Sequence, residues 1–399
     1  MKKTSKQLRV LYAVGPEDVI AAYKHWKHGT ESPLQVSIPY SSQFYEVCQS
    51  LNIQAYVIAQ SAIKQVAKDD RFVIERLPIL VNRASGIFYH IHQIWNALYL
   101  LACAVKFRAS VCIASSGTTH WFMWRLFSLF GIKVIPSVHC VLWRHFGHQT
   151  LGEKLTLKLG ASLFSSDCTA TLAVSNQIAM QIAQLTQNHH QPVHEFTPTY
   201  CRQDFAHIKN PNLNASLFRV LYAGRIEHDK GVFDLLQIVK RFQSEGLQNI
   251  VFDICGEGSA FDELCQEVTD SRLEANYQCH GHCTKPKMQS IFSDSHVVIV
   301  PTQTKFVEGF NRVVAESILA GRPVVTSAVC PAISYVRSAV IEVPPNDITA
   351  YGDALIDLYK NRVLYEQKRL ACLKLQEQFY DVNKSWGAKL KSILIDIQA

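Results

Sequence analysis

The sequence has no acidic residue between Glu75 and Glu153, although seven basic residues fall in that interval. They are Arg76, Arg83, Lys106, Arg108, Arg125, Lys133 and Arg144. Residues 1–210 carry 20 Lys and Arg against 11 Asp and Glu, and the remainder carries 20 against 22, so the net charge of +7 comes from the first half. Either this is an ordinary basic surface, or it attracts a membrane face or a phosphate-bearing acceptor. Nucleic acid is not an expected partner, because no recognition motif accompanies the charge.

Long apolar runs are also missing. The most membrane-like segment is Ile94–Val105, twelve residues that include Asn96, whereas a helix that crosses a bilayer needs about 20 apolar residues. We expect a buried helix here ahead of an interfacial one. The start of the chain, Met1–Lys6, has no apolar signal core. We therefore expect a cytoplasmic protein, with peripheral attachment to the inner membrane face left open.

No Cys-x-x-Cys pair occurs among the twelve cysteines, which are scattered through the 399 residues. This use of cysteine is typical of small buried side chains in a reduced compartment. The one dense cluster is the pentapeptide Cys279–Cys283, with histidines at 280 and 282. Five consecutive residues give poor geometry for a tetrahedral zinc site, and no second cluster has ligand spacing. We expect no metal.

A repeated pentapeptide divides the chain into two halves. Arg9–Ala13 has the sequence RVLYA, and so does Arg219–Ala223, 210 residues later. Each copy leads to a glycine (Gly15 or Gly224) and then to helix-like sequence, as does the first strand of a doubly wound domain. The predicted domains are 1–205 and 215–380, joined by a linker within Cys201–Asn214. A terminal helix over 381–399 is expected to cross back to the first domain.

Strand-like and helix-like segments alternate in both halves, which predicts α/β domains with parallel sheets covered on both faces. The predicted strands of the first half are Gln35–Ile38, Ala55–Ile58, Val111–Ala114, Lys133–Ser137 and Thr171–Val174. Those of the second half are Ile250–Cys255, Tyr277–Cys279, Val297–Pro301, Pro323–Ser327 and Val340–Val343. Two such domains should face a central cleft at the carboxyl ends of their strands, where ligands bind.

The strongest local pattern is the nonapeptide Glu308–Glu316, EGFNRVVAE, which follows a buried strand. A helix from about residue 311 should end at Gly321. Its free N–H groups and partial positive charge suit a phosphate. Two carboxylates beside it suit a ligand rich in hydroxyl groups, although alone they could equally belong to a surface helix.

This spacing resembles the Glu-x7-Glu motif of retaining glycosyltransferase family 4, and the similarity extends over most of residues 135–390. Gly224–Gly231 is similar to that family's Gly-Arg…Lys-Gly loop, and Cys255–Gly258 to its Gly-x-Gly turn. Gly281 stands where the family has a glycine before its base-binding loop. Ser137–His139 resembles the strand that ends in a histidine. The resemblance implies the GT-B fold, two doubly wound Rossmann-like domains around a cleft.

The resemblance also implies roles for single residues. Arg225 and Lys230 would contact the donor diphosphate, Glu308 would hold hydroxyl groups of the transferred sugar, and Glu316 the ribose diol. The backbone of Gly309, Phe310 and Asn311 would meet the phosphates or the sugar, and His139 would face the sugar from the first domain. We take His139, Arg225, Lys230 and Glu308 as candidate catalytic residues. The candidate donor-binding residues are Gly224, Arg225, Lys230, Gly256, Gly281, Gly309, Phe310, Asn311 and Glu316.

The implied reaction moves a hexose from a nucleotide-diphosphate sugar, with UDP expected ahead of GDP, to a glycan or a lipid-linked saccharide. No metal or other cofactor is expected, because two cations and a helix terminus can neutralise the diphosphate. Three departures from the family pattern stand out: a single glycine in the turn Val14–Glu17, Asn311 in place of a glycine, and no carboxylate within 330–334. A non-catalytic GT-B binding partner and a nucleotide-sugar epimerase remain alternatives.

Overall fold

The computed structural model describes residues 7–15, 17–30, 36–78 and 86–399. Met1–Lys6, Pro16 of the first turn, Gln35 of a predicted strand, and Arg83 of the basic stretch lie outside the described residues. Two sheets organise this part of the chain, one in each half, and all their strands pair in parallel except one edge strand of the first sheet. Helices cover both faces of each sheet, as the alternating sequence pattern predicts.

The first sheet has the strand order β3-β4-β2-β1-β5-β6-β7-β8. Its strands are β1 Arg9–Val14, β2 Gln54–Ser61, β3 Gln65–Lys68, β4 Phe72–Pro78, β5 Val111–Ser115, β6 Lys133–Val138, β7 Thr171–Ala173 and β8 Val193–Glu195. All pair in parallel except β3, which is antiparallel to β4. The helices of this half are α1 Val19–His28, α2 Tyr40–Ser50, α3 Gly86–Phe107, α4 Arg125–Ser128, α5 Leu151–Ser162 and α6 Asn176–Leu185.

The second sheet has the order β11-β10-β9-β12-β13-β14 and is parallel throughout. Its strands are β9 Phe218–Ala223, β10 Ile250–Cys255, β11 Tyr277–Gly281, β12 Val297–Val300, β13 Val324–Ser327 and β14 Val340–Val343. The helices that follow the linker are α7 Val232–Ser244, α8 Phe261–Asp270, α9 Lys285–Asp294, α10 Arg312–Leu319, α11 Ile333–Val336, α12 Ile348–Lys360, α13 Arg362–Leu375 and α14 Trp386–Gln398.

The repeated pentapeptide forms the equivalent inner strand in both sheets, β1 in the first and β9 in the second. In each sheet the chain then crosses to a neighbour on one side and later returns to the other side. This reversal of strand order opens a crevice at the carboxyl ends of the inner strands. The repeat therefore places two ligand-binding edges opposite one another.

The end of the chain returns to the first domain. Helix α14 packs against α2, and the backbone N–H of Gly387 donates to Gln43 Oε1 at 2.7 Å. Trp386 is fully buried, and its indole ring stacks on Tyr12 of β1 with 5.5 Å between the ring centroids. The residue that begins the last helix thus belongs to the core of the first domain.

Three strands of the first sheet escaped the sequence prediction. β3 is short and exposed, β4 ends in the polar sequence ERLP, and β8 has only three residues, so none shows a buried β-branched run. The strand predicted over 35–38 is wrong for its described residues. There, Ser37 makes only an isolated antiparallel bridge to Tyr200, because this segment lies between the domains and not in the sheet.

The prediction of a buried helix over Ile94–Val105 is also wrong. Only a narrow stripe of α3 is buried, namely Gln93, Ala97, Leu100 and Ala104. The opposite side exposes large apolar side chains, since α3 covers the sheet with one face and is apolar all round. Within the described ranges, none of the helices combines the length and the apolarity that crossing a bilayer requires.

Candidate active site

The loops at the carboxyl ends of β9, β10 and β12 form one wall of a cavity of about 460 Å³. Because parallel strands end at the same edge of a sheet, residues far apart in sequence meet there. The cavity is lined by Gly224, Arg225, Lys230, Gly256, Glu308, Asn311 and Glu316 of the predicted set, together with Arg312, Val313, His282, Cys283, Met288 and others. Seven of the eleven predicted site residues therefore surround one space.

An ion pair lies at the centre of this wall. Lys230 Nζ donates to Glu308 Oε2 at 2.8 Å, and Asn311 Nδ2 donates to the same oxygen at 3.1 Å. Both charged side chains are only 11% exposed. The other carboxylate oxygen of Glu308 has no hydrogen-bond partner among the described residues, so it remains available to a ligand.

Aromatic contact holds the cations in place. Lys230 Nζ lies 3.5 Å from the ring centroid of Phe306, and the guanidinium carbon of Arg225 lies 5.4 Å from the same centroid. Arg225 itself is exposed to the cavity, whereas Lys230 is buried. Contact with the face of the ring stabilises both cations, so they can stay close together without a bound anion.

Helix α10 points its N-terminus at this cavity. Asn311 caps it with φ 70°, a left-handed backbone conformation that asparagine tolerates better than most residues. Asparagine can therefore occupy this position, where the family that the motif resembles has a glycine. The first N–H groups of the helix, at Arg312 and Val313, lie in the cavity wall and can donate to an anion.

Arg312 is the functional candidate that the sequence analysis missed. Its side chain reaches the cleft, and Nη1 donates to Ser37 Oγ of the first domain at 3.0 Å. Glu316, Glu17, Tyr40 and Tyr200 lie around it. A cation at the first position of a helix is opposed by the helix dipole. The unfavourable position of Arg312 at the start of the helix could have indicated, from the sequence alone, that a negatively charged group lies next to it.

Glu316 lies one turn into α10, beside Arg312 and Tyr200. Burial raises the pKa of its carboxyl group, while the charge of Arg312 and the hydroxyl of Tyr200 lower it. Tyr200 also donates its hydroxyl to the carbonyl of Arg312 at 3.2 Å. The Glu316 carboxylate thus lies near the charge of Arg312 and the hydroxyl of Tyr200, and it still borders the cavity.

His139 lies across the cleft, in an adjoining cavity of about 370 Å³ that it shares with Glu308, Asn311 and Arg312. Burial, and then the nearby charge of Arg312, lower its pKa to about 4. Ser137 Oγ accepts the indole hydrogen of Trp386 at 2.8 Å and lies 2.9 Å from His139 Nε2. We infer that the Ser137 hydroxyl donates to Nε2, which leaves Nδ1 as the protonated nitrogen of a neutral ring.

At Gly309 the backbones of the two domains come close together. A Cβ atom at this position would lie 1.8 Å from the backbone oxygen of His139. One further predicted glycine is held as tightly, since a Cβ on Gly256 would lie 1.8 Å from the backbone oxygen of Gly224 and Gly256 itself has φ 143°. These loops can therefore pack against each other only without side chains.

Gly281 and Phe310 have other surroundings. Gly281 ends β11 with φ 64°, beside the cavity-lining His282. The Phe310 ring is buried against Tyr335 and Phe379, so its side chain anchors the loop to the core. In the neighbouring pentapeptide, His280 Nε2 lies 2.7 Å from Asp253 Oδ1. Among the residues that the structure describes, no three His, Cys, Asp or Glu side chains are grouped to hold a metal.

Comparison with known proteins identifies the second half of the chain. Residues 204–374 match the family model described as "Glycosyl transferases group 1". A lipopolysaccharide 1,2-N-acetylglucosaminetransferase from Salmonella typhimurium is 26% identical over 189 residues, 43% of this chain and 49% of that protein. A glycogen synthase from Mycobacterium tuberculosis is 28% identical over 108 residues, 27% of this chain and 25% of that protein. The chain thus matches a quarter to a half of the length of these curated relatives.

Solved structures match almost the whole chain. Sucrose-phosphate synthase from Thermosynechococcus elongatus has a TM-score of 0.72 at 14% identity, over 98% of this chain and 99% of that one. HepE from Anabaena, solved in complex with UDP-glucose, has a TM-score of 0.65 at 13% identity, over 98% and 100%. The described chain has the GT-B fold, and its second domain matches the glycosyl transferases group 1 family.

Proposed function

We propose that this protein is a retaining glycosyltransferase of family 4 that transfers a hexose from a nucleotide-diphosphate sugar. The supporting observation is the Lys230–Glu308 pair, which Asn311 joins, between exposed Arg225 and the N-terminus of α10. A cation, a carboxylate and a row of N–H groups in one cavity match a ligand with both phosphates and hydroxyls. A UDP-sugar is the first candidate, because HepE binds UDP-glucose in the same fold, and a GDP-sugar is the second.

Each end of the donor has its own partners in this proposal. The diphosphate lies against Arg225, Lys230 and the first N–H groups of α10. Glu316 accepts hydrogen bonds from the ribose diol, and the base extends toward Gly256 and His282. Glu308 uses its open oxygen for a hydroxyl of the transferred sugar, while His139 faces that sugar from the first domain.

The chemistry requires no carboxylate nucleophile. The bond between the anomeric carbon and the diphosphate oxygen breaks, and the acceptor oxygen attacks the same face of the sugar. The leaving phosphate oxygen takes the acceptor proton, so charge and protons balance. Arg225 and Lys230 stabilise the negative charge that develops on the diphosphate, and the remaining rate enhancement comes from positioning.

We propose a metal-independent reaction. In many other transferases a divalent ion neutralises the diphosphate, but here two cations and a helix N-terminus can supply that charge. EDTA should then leave turnover unchanged. A loss of activity that added Mg²⁺ or Mn²⁺ restores would contradict this part of the proposal.

The acceptor in this proposal is a glycan or a lipid-linked saccharide used in cell-surface polysaccharide synthesis, at the cytoplasmic side of a membrane. The support is the relationship to a lipopolysaccharide transferase and the basic first half of the chain. The basic half would lie toward the anionic headgroups.

A thermal-shift series with UDP-, GDP-, ADP- and dTDP-sugars tests the donor site. A ligand that binds only the folded state raises Tm in proportion to its concentration over Kd. We expect a rise with one nucleotide class, and its loss in Lys230→Ala. No rise with any nucleotide sugar would contradict the proposal. A rise without glycosyl transfer to any acceptor extract would favour the non-catalytic binding protein, and interconversion of the free donor would favour the epimerase.

A further inference from the structure

One side of α3 presents an unusual apolar surface. Ile87 and Phe88 are each 70% exposed, Trp95 is 58% exposed and Ile91 54%. Tyr89, Ile94, Leu98, Tyr99 and Val105 extend the exposed apolar surface along the helix. A contiguous patch of this kind marks an interaction site, because water exposure of so many large apolar groups is unfavourable.

Helix α5 repeats the pattern on a smaller scale. Leu151, Leu155 and Leu159 are 86%, 59% and 47% exposed and stand four residues apart, so they form one stripe. Lys154 and Lys158 are exposed beside this stripe. An apolar stripe flanked by lysines is the composition of helices that lie in a membrane interface. We call these exposed apolar residues of α3 and α5 the α3–α5 surface.

The two helices border a common cavity of about 330 Å³. Tyr89 and Gln93 of α3 line one side, and Glu153, Thr156 and Leu157 of α5 line the other. The 3₁₀ turn Trp121–Trp124 contacts both helices from below. Polar side chains, among them Gln93 and Glu153, form part of the cavity lining, and His120 within it lies 2.9 Å from His90, ring nitrogen to ring nitrogen.

Sequence neighbours of two proposed site residues line this cavity. Cys140, which follows His139, lines it, and so does Val307, which precedes Glu308. A group bound between α3 and α5 would therefore lie next to the sugar that the donor offers. The mouth of an acceptor site is thus framed by two helices with exposed apolar side chains.

The charge of the residues around α3 indicates which kind of partner this surface contacts. No acidic residue lies between Glu75 and Glu153, a stretch that includes all of α3. Lys106 and Arg108 lie at the C-terminal end of that helix. An apolar surface among basic residues matches the headgroup and acyl boundary of an anionic bilayer, where lysine side chains extend to the phosphates. A second copy of this chain would bring the same positive charges together, which opposes self-association through this face.

We propose that the α3–α5 surface lies on an anionic lipid bilayer and that the cavity between the two helices receives the headgroup of a membrane-anchored acceptor. This inference rests on the proposed glycosyltransferase function. It adds the surface that contacts the membrane, and it selects the lipid-linked acceptor, with the polar end of that acceptor toward the cavity.

Vesicle binding tests the proposal without knowledge of the acceptor. The purified full chain is sedimented with vesicles of phosphatidylethanolamine and phosphatidylglycerol, and in parallel with vesicles of phosphatidylcholine alone. We expect binding to the anionic vesicles that weakens with salt, and quenching of tryptophan fluorescence by brominated lipid. The triple variant Ile91→Gln, Trp95→Gln, Leu98→Gln should bind at least about tenfold more weakly.

The matched control is Val363→Gln, Leu370→Gln, Leu373→Gln on α13, where the side chains are likewise exposed. It should bind vesicles like the unmodified protein, and both triple variants should keep the thermal shift with a nucleotide sugar. Equal loss of vesicle binding in both, or no binding by the unmodified protein, would overturn the inference while leaving donor binding intact. A dimer in sedimentation velocity that the α3 variant dissociates would overturn it too, by making this surface an interface between copies.

Discussion

The indole N–H of Trp386 donates to the hydroxyl oxygen of Ser137 at 2.8 Å, across 249 positions of sequence. The same oxygen lies 2.9 Å from Nε2 of His139. One hydroxyl therefore links the beginning of the last helix to the histidine that faces the cleft. Through this contact the end of the chain orients a side chain at the proposed site.

Replacing Trp386 with phenylalanine separates packing from hydrogen bonding. The ring can still stack on Tyr12, but Ser137 loses its donor. We expect a loss of about 1 kcal/mol in the free energy of unfolding, which is typical for a net hydrogen bond. Transfer should slow as well, since the hydroxyl can then rotate away from His139. Urea titration and steady-state kinetics measure the two effects, and unchanged kinetics would mean that the Ser137 contact does not orient His139.

Gly309→Ala should separate the two domains locally. The added Cβ would lie 1.8 Å from the backbone oxygen of His139. No side-chain rotation can relieve this overlap, because neither atom moves when a side chain rotates. A displacement of about 1 Å at a reacting centre can lower the rate about 100-fold. Gly152→Ala is the control, because nothing lies within 4 Å of its Cβ position. Full activity in Gly309→Ala would mean that catalysis does not need this close approach.

Lys230→Ala removes the buried cation and leaves Glu308 without its ion-pair partner. We expect kcat to fall about 10²–10³-fold, the usual effect of losing one group that stabilises transition-state charge. Unfolding free energy should fall by about 1–3 kcal/mol. Lys240→Ala breaks an exposed lysine–glutamate pair whose side chains are each 44% exposed, and such pairs contribute only about 0–1 kcal/mol. If the two variants turn over donor equally, Lys230 is no part of the site.

Glu316→Ala should weaken donor binding more than it weakens folding. A carboxylate that accepts two hydroxyl hydrogen bonds contributes roughly 1.5–3 kcal/mol for each, so kcat/KM should fall at least about 100-fold. Glu316→Gln keeps the shape and one acceptor oxygen and should lose less. Isothermal titration calorimetry with the free nucleoside diphosphate measures the change in binding affinity directly. Equal affinity in all three proteins would remove the ribose assignment.

The pH dependence of stability should report His139. Its pKa is about 4 in the folded protein and near 6.5 when unfolded, so the unfolded chain binds the extra proton first. This residue's contribution to stability is therefore complete above pH 6.5 and is lost as the pH falls from 6.5 toward 4. His139→Gln should flatten the unfolding free energy over that window. An unchanged slope would mean that His139 titrates normally in the folded state.

Periodic patterns predicted most of the fold because they arise from burial. β10 and β14 match their predicted bounds, since a glycine follows β10 (Gly256) and a proline follows β14 (Pro344). β3 and β8 were missed because an edge strand with exposed side chains has no such run. The burial of α3 was mispredicted for a related reason. A high apolar content indicates that burial of the helix away from water is favourable. It does not indicate whether protein or another phase covers the helix.

The candidate site was partly predictable. Lys230, Glu308 and Asn311 follow strands or precede a helix, so strand order brings them together without knowledge of side-chain geometry. Arg312 was missed because its importance depends on Ser37, which lies 275 positions away in the other domain. The contact between Gly309 and the His139 backbone was hidden for the same reason. Local sequence patterns do not predict which loops of two domains will face each other.

The position of α14 has a consequence for biosynthesis. A ribosome releases the first domain's strands and helices long before it reaches Trp386, yet that indole fills the space beside Tyr12. Domains generally fold in order as they are translated, but this one lacks its core helix α14 until the whole second domain has been synthesised. Until then the nascent chain carries an uncovered groove along α2, so chaperone binding there should persist until α14 has left the ribosome.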